Sequence, residues 1–234
     1  MRSHRSKAKR AVVGPGVLAA SLLVACAHLQ AGCDHADSDP TCQAPPQTFG
    51  SAVALFDGQT LTGWSGDPRV WRVERGEIVA SSGAARVARN TFLISSRTFS
   101  DFVLTADVLL VNDQGNSGLQ FRSTVVDPLA WSVAGYQADV SKDGWGLLYE
   151  EALGRGALQY PNAACQSAAR SNDWNHYEII ASGCSIKLSV NGTLCTEFGE
   201  GDPQRARSGV VALQYHAPGG FEVHFRNVRI AEPQ

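Results

Sequence analysis

The sequence predicts an all-β sandwich of two antiparallel sheets. Three observations carry that prediction. From Ser51 to the C-terminus, short runs alternate apolar and polar residues, broken by turn signals such as Asp57-Gly58, Arg75-Gly76 and Asn191-Gly192. The composition is globular and turn-rich, with 44% hydrophobic residues, 23 glycines, 10 prolines and one methionine. Helical spacing is confined to a short stretch, Ala163–Arg170, which argues against alternating β and α units. A single sandwich of roughly 180–200 residues suits the length.

The chain opens on a leader. Arg2, Arg5, Lys7, Lys9 and Arg10 precede an apolar run, Ala11 to Ala25, too short and too broken by Gly and Pro for a permanent span. The leader ends in Leu23-Val24-Ala25-Cys26, which resembles the lipobox of bacterial lipoproteins, where the cysteine becomes the lipidated N-terminus. Cys33 is a rival, although Gln30 stands where the lipobox prefers Leu; simple secretion is the third reading. The expected organisation is a signal peptide over 1–25, a flexible acidic and proline-bearing tether over 26–50, and the sandwich over 51–234. The expected location is the bacterial cell envelope, periplasmic or surface-facing, with a lipid anchor as the sole membrane contact. Without the leader's five cations, 15 basic residues face 22 acidic ones, a net charge of −7. That leaves no basic patch for a phosphate backbone, and nucleic acid is excluded as a partner.

Strands are expected at Val53–Phe56, Val70–Val73, Glu77–Ser81 and Phe92–Ser95, then along the longest run, Phe102–Val111. Beyond the centre come Tyr177–Ala181, Ile186–Val190 and Leu194–Phe198, the last two joined at Asn191-Gly192, and then Val210–Tyr215 and Phe221–Ile230. Phe221, Val223 and Phe225 share one parity while Val228 and Ile230 share the other, so a bulge is expected near Arg226-Asn227. An oxidising compartment favours disulfides, and Cys165, in a loop, is expected to pair with Cys184 or Cys195. A two-residue turn at Asn191-Gly192 places Leu188 opposite Cys195. No Cys/His spacing suggests zinc.

Most residues able to do chemistry lie between Gly115 and Glu151, in GNSGLQFR (Gly115–Arg122), GYQADV (Gly135–Val140) and GWGLLYEE (Gly144–Glu151). In the first, Leu119 and Phe121 alternate with Gln120 and Arg122. In the second, Tyr136, Ala138 and Val140 alternate with Gln137 and Asp139. A strand sends neighbours to opposite faces, so one face packs and the other presents amides and charges. Val211 and Leu213 likewise oppose Gln214 and His216. The expectation is one polar groove floored by Gln120, Arg122, Gln137, Asp139, Gln214 and His216.

Six segments, LFDGQTLTGW (Leu55–Trp64), WRVERGEIVA (Trp71–Ala80), FSDFVLTADV (Phe99–Val108), GNSGLQFR, GYQADV with GWGLLYEE, and VHFRNVRI (Val223–Ile230), appear in an order that resembles the 3-keto-disaccharide hydrolase domain family. The resemblance covers about Ala52 to Glu232. It implies a concanavalin A-like jelly-roll sandwich and an activity on glucosides already oxidised to a ketone at the third ring carbon. Gln137 stands where several members carry an acid, so no carboxylate role transfers there. Glu150 stands where relatives tend to have Asp.

A ketone at the third carbon acidifies the proton on the second. A base removes it, an enolate forms, the glycosidic oxygen leaves, and water then adds. That chemistry wants a base, a partner for the enolate oxygen and an acid. His216 or Asp139 is expected as base, Arg122 as enolate partner, and Glu150 as acid or as ligand to a divalent metal. Gln120, Gln137, Gln214, Tyr149 and Trp145 are expected to bind substrate, with Trp131 as a further stacking platform. Blander readings stand beside these: Arg122 and Asp139 as a cross-strand ion pair, Glu150 and Glu151 as a solvated rim, the tryptophans as packing. Asp113 offers either a calcium ligand or a plain turn. A keto-glycoside lyase or hydrolase is the first functional reading, and a non-catalytic carbohydrate-binding module is the second. Convergence of Arg122, Asp139, Glu150 and His216 favours the enzyme; scattering favours binding.

Overall fold

A computed structural model describes Cys42 and residues 47–234; the leader, Cys26 and Cys33 lie outside the described residues. The elements follow the alternation of the sequence. β1 (Val53–Ala54), β2 (Trp64–Ser65), β3 (Trp71–Glu74) and β4 (Glu77–Ser81) lead to β5 (Thr91–Phe99) and β6 (Phe102–Leu110). The central stretch forms β7 (Asn116–Asp127), β8 (Ser132–Ser141) and β9 (Leu148–Glu151), followed by β10 (Gly156–Gln159) and the short α1 (Ala163–Ala168). β11 (Asn175–Ser182), β12 (Ser185–Val190), β13 (Thr193–Gly199), β14 (Gly209–Tyr215) and β15 (Glu222–Ala231) complete the chain.

The strands make two antiparallel sheets. One runs β13-β12-β11-β6-β15-β4-β3, with β1 also on β15; the other runs β10-β9-β8-β7-β14-β5-β2. Each sheet turns its apolar parity inward. Leu119 and Phe121 on β7, Tyr136, Ala138 and Val140 on β8, and Val211 and Leu213 on β14 join the same core as Leu104, Ala106 and Val108 on β6. Burial of that shared layer drives the sandwich. This is the jelly-roll class that the sequence predicted.

Three local predictions gain physical detail. The register between β15 and β6 shifts between Arg226 and Arg229, with Asn227 left-handed at φ 52°, so the bulge lies where the parity changes. Asn162 caps α1 by accepting from the Cys165 amide at 3.1 Å. Cys165 is bonded to Cys195, one of its two expected partners. Leu188, however, lies opposite Thr196 rather than Cys195. A bulge leaves Cys195 as the extra residue of β13, with its side chain buried beside Cys165.

Within the segment expected as a tether, the described residues are tied to the sandwich: Cys42 is bonded to Cys184, Phe49 bridges to Pro233, and the Gly50 amide donates to the Glu232 carbonyl at 2.9 Å. Asp113 closes a turn, its carboxylate accepting from the Ser171 hydroxyl and from the Asn172 amide.

Candidate functional site

β7, β8 and β14 lie side by side in the seven-stranded sheet, β7 at the middle, with Gln120 opposite Gln137 and Gly118 opposite both Asp139 and Gln214. Register and parity together therefore put Gln120, Gln137, Asp139 and Gln214 on the face turned away from the core. Beside Gln137 on β9 stands Tyr149, which fixes Glu151, two residues on, to the same face. His216 follows the end of β14. Gln137, Asp139, Tyr149, Glu151, Gln214 and His216, with Asn90, Asn116 and Leu147, line a cleft of about 280 Å³. Gln120, expected in the groove floor, is fully buried and lies outside that lining.

The cleft floor is a directional hydrogen-bond chain. The Ser123 hydroxyl donates to Gln120 Oε1 at 2.8 Å, and Gln120 Nε2 donates to Gln137 Oε1 at 2.9 Å. Gln137 Nε2 donates both to Asp139 Oδ1 at 3.0 Å and to Gln214 Oε1 at 3.3 Å. Gln214 Nε2 then donates to Glu151 Oε2 at 3.3 Å. Gln137 and Gln214 thus each donate to a carboxylate and Gln120 donates to Gln137, and aligned dipoles of this kind reinforce one another. Two glycines make room for it. A Cβ at Gly118 would fall 2.5 Å from the Gln137 side chain, and one at Gly144 would fall 2.7 Å from Asp139 Oδ2.

Asp139 is 6% exposed. Burial raises its pKa above the usual carboxylate range, outweighing hydrogen bonds from Asn116, Gln137 and Ser141 and the charge of nearby His216. All three of those hydrogen-bond donors are neutral. The His216 ring faces the Ala217 carbonyl through Nδ1. A carbonyl only accepts, so Nδ1 carries the proton and Nε2 is the basic nitrogen. Burial, then the charges of Glu151 and Asp139, raise the Tyr149 phenol, which keeps its proton. Asn90 braces the rim, donating to Glu151 Oε1 at 3.1 Å and accepting from the Ala217 amide at 3.0 Å.

Four residues expected at the site lie elsewhere. Arg122 takes a left-handed conformation, φ 47°, at a break in the β7–β8 register. The bulge cancels the alternation on which its groove placement depended. Its guanidinium is buried against Ser100 O (2.7 Å), Gly183 O (2.8 Å) and Asp101 Oδ1 (2.7 Å), tying two turns together. The expected ion pair with Asp139 does not form. Glu150 shares the face of Tyr136, its partner across β8, and is locked by Arg155 at 2.6 Å. Trp145 packs inside the sandwich against the Tyr177 ring, centroids 5.8 Å apart. Trp131 stays at the surface, with its indole nitrogen donating to Ser65 Oγ at 3.2 Å.

Three polar cleft residues carry no site role in the sequence reading, Glu151 standing there only as part of a solvated rim. Asn116 shares the parity of Gly118 and Gln120, and Glu151 that of Tyr149, so both were within reach of the alternation. Asn90, at the end of a loop, had no such signal. Among the described residues, no three His, Cys, Asp or Glu side chains gather as a metal site.

The fold recurs in solved structures. A candidate glycosyl hydrolase from Parabacteroides distasonis matches with a TM-score of 0.58 at 21% identity, over 77% of this chain and 93% of that one. The carbohydrate-binding module CBM66 from Bacillus subtilis matches with a TM-score of 0.54 at 21% identity, over 71% and 93%. A galectin-like protein from Bacillus subtilis reaches a TM-score of 0.59 at 12% identity, over 80% and 99%. Among curated proteins none matches. The family model for the 3-keto-alpha-glucoside-1,2-lyase-like domain matches residues 51–231, almost the whole sandwich. The chain therefore belongs to the 3-keto-alpha-glucoside-1,2-lyase-like domain family.

Proposed function

We propose that the cleft binds one sugar ring carrying a ketone at its third carbon and eliminates the group on its first. The observation that carries this reading is the grouping of His216, Asp139, Glu151 and Tyr149 around one cleft. Two of the four groups whose convergence favours an enzyme, Asp139 and His216, meet there. Glu151 supplies a carboxylate in place of Glu150, and Arg122 has no counterpart. At about 280 Å³ the cleft lies just below the usual range of roughly 300–1,000 Å³ for ligand pockets, which suits a single ring.

His216 Nε2 takes the proton from the second carbon, and the electron pair left behind forms the enolate of the neighbouring ketone. The adjacent Asp139 carboxylate stabilises the imidazolium that results. The enolate re-forms the ketone as the bond from the first carbon to the glycosidic oxygen breaks. That oxygen leaves with the Tyr149 phenol proton. One water then adds across the new carbon–carbon double bond: its hydroxyl bonds to the first carbon, its proton returns to Tyr149, and the His216 imidazolium returns its proton to the second carbon, so the sum is hydrolysis. Amide N–H groups, not a guanidinium, are the hydrogen-bond donors at hand for the enolate oxygen.

A second reading, a carbohydrate-binding module, is favoured by the number of neutral amides in the cleft. One experiment separates the two. The purified protein is incubated with the 3-keto-glucoside of 4-nitrophenol, and nitrophenol release is followed beside binding of the same compound. Release that vanishes in His216→Ala supports elimination; binding without release supports the module.

We also propose export with a lipid anchor. Two disulfides suit an oxidising compartment, and they use Cys42, Cys165, Cys184 and Cys195. The motif favours Cys26 as the lipidated residue. The pairing favours Cys33, because lipidation at Cys26 leaves Cys33 as a single thiol. The intact mass of the mature N-terminus decides between them, and an unmodified end at any residue rejects both.

A further inference from the structure

A second hollow, of about 430 Å³, opens next to the cleft. The loop between β4 and β5 (residues 82–90) and the tip of the β7–β8 hairpin form its walls. The two hollows meet on one stretch of chain: Asn90 lines the cleft, while Arg89 and Thr91 on either side line the hollow.

Three features mark the hollow as shaped for a ligand. Trp131 is left-handed, φ 47°, a conformation that a bulky residue keeps only when its surroundings hold it. Its carbonyl accepts from the Phe92 amide at 3.0 Å and its indole nitrogen donates to Ser65, so the ring is fixed at the wall. Thr91 is 6% exposed, lines the hollow, and has a hydroxyl with no hydrogen-bond partner among the described residues. Arg86 and Arg89 are exposed on the rim with no carboxylate against them among the described residues, whereas Arg69 is held by Asp67 at 2.6 Å. Apolar walls, Val70 and Val87 among them, thus lie below two cations with no protein counter-ion.

We propose that this hollow is the leaving-group subsite, and that it selects a leaving group made of a ring with an acidic substituent. The ring stacks on Trp131, its polar edge meets the Thr91 hydroxyl, and the acid faces Arg86 and Arg89. A neutral sugar leaves the two cations unused, and a bare phosphate leaves the indole wall unused. The proposal rests on the sugar ring occupying the adjoining cleft. Bond breaking then occurs beside Asn90, between the hollows.

The test compares three 3-keto-glucosides, whose leaving groups are 4-hydroxybenzoate, its neutral methyl ester, and glucuronate. The acid is expected to exceed the ester in kcat/KM by about fivefold to tenfold at low salt, the contribution of two exposed ion pairs. That preference should shrink in 0.5 M salt through screening. It should disappear in the double variant Arg86→Ala, Arg89→Ala, with turnover of the ester retained. Trp131→Ala should weaken all three in KM. The ratio of 4-hydroxybenzoate to glucuronate tells an aromatic acid from a sugar acid. Equal turnover of acid and ester by the native protein, or a preference that survives the double variant, overturns the proposal. If no keto-glucoside is cleaved, elimination fails separately, and calorimetric titration with the unoxidised glucoside of 4-hydroxybenzoate reads the subsite. Binding lost in the double variant supports it, and absence of binding to the native protein overturns it.

Discussion

Glu150 and Glu151 are chain neighbours with opposite surroundings, and each belongs to a buried polar network. Glu150 points to the inner face, where Arg155 bridges it at 2.6 Å and reaches Glu200 at 2.7 Å; the Tyr136 hydroxyl completes the group by donating to Glu200 at 2.7 Å. Glu151 points to the cleft, where it and Asp139 receive hydrogen bonds from asparagine, glutamine and serine side chains. The first network neutralises its carboxylates with a guanidinium. The second hydrogen-bonds them through neutral side chains, with no guanidinium against them. A carboxylate matched by a buried cation is spent on the fold, whereas one held only by amides keeps charge to offer a ligand.

The largest effect that sharpens this contrast is on turnover. His216→Ala and Asp139→Asn should each lower kcat on a 3-keto-glucoside by about 10²–10⁴-fold, the usual contribution of a group that moves or steadies a proton. Circular dichroism should stay native and neither unfolding midpoint should fall, because neither side chain belongs to the apolar core. A loss below about tenfold would reassign both to binding.

Glu150→Ala should show the reverse pattern. Removing Glu150 takes one partner from Arg155, which keeps Glu200 at 2.7 Å and is partly exposed, and costs about 1–3 kcal/mol. Denaturant titration should detect that loss while kcat of the surviving folded protein changes little. Glu151→Gln should instead leave the unfolding midpoint in place and reduce turnover. If the effects of Glu150→Ala and Glu151→Gln are alike, the distinction between the two networks is wrong.

How far the sequence reveals these networks depends on alternation. Along β7, β8 and β14 the parity of Leu119, Ala138 and Leu213 is plain, so the buried face, the polar face and the sandwich class can be read directly, while the jelly-roll form is what the family resemblance implies. Alternation fails where a strand takes an extra residue. Arg122 lies at such a bulge, and nothing in GNSGLQFR announces that its φ turns positive. Glu150 failed for a different reason: it cannot share a face with Tyr149, and only the strand boundaries of β9 reveal the conflict. Asn90 depends on how a loop folds back over the sheet, a long-range outcome with no local signal.

The smallest effect separates the networks by their response to acid. Burial raises Asp139 above its unfolded value, near 3.9. Below that pH both states carry the proton and the group contributes no slope. As pH rises, the unfolded chain ionises first while the folded state keeps its proton, so stability falls until the folded pKa is passed. Asp139→Asn removes that loss and should gain on the native protein between about pH 4 and the folded pKa. Glu200 has the opposite sign. Burial pushes it up, but hydrogen bonds from Arg155, the Asp202 amide and Tyr136 together outweigh burial and hold it below the ordinary glutamate range. Its stabilisation is present above the unfolded value, about 4.3, and is lost as pH falls through the folded one. Glu200→Gln should therefore lag the native protein at neutral pH and approach it in acid. Urea midpoints of the three proteins from pH 3 to pH 8 test both signs at once. Curves that stay parallel would mean that amides and guanidinium hold their carboxylates alike.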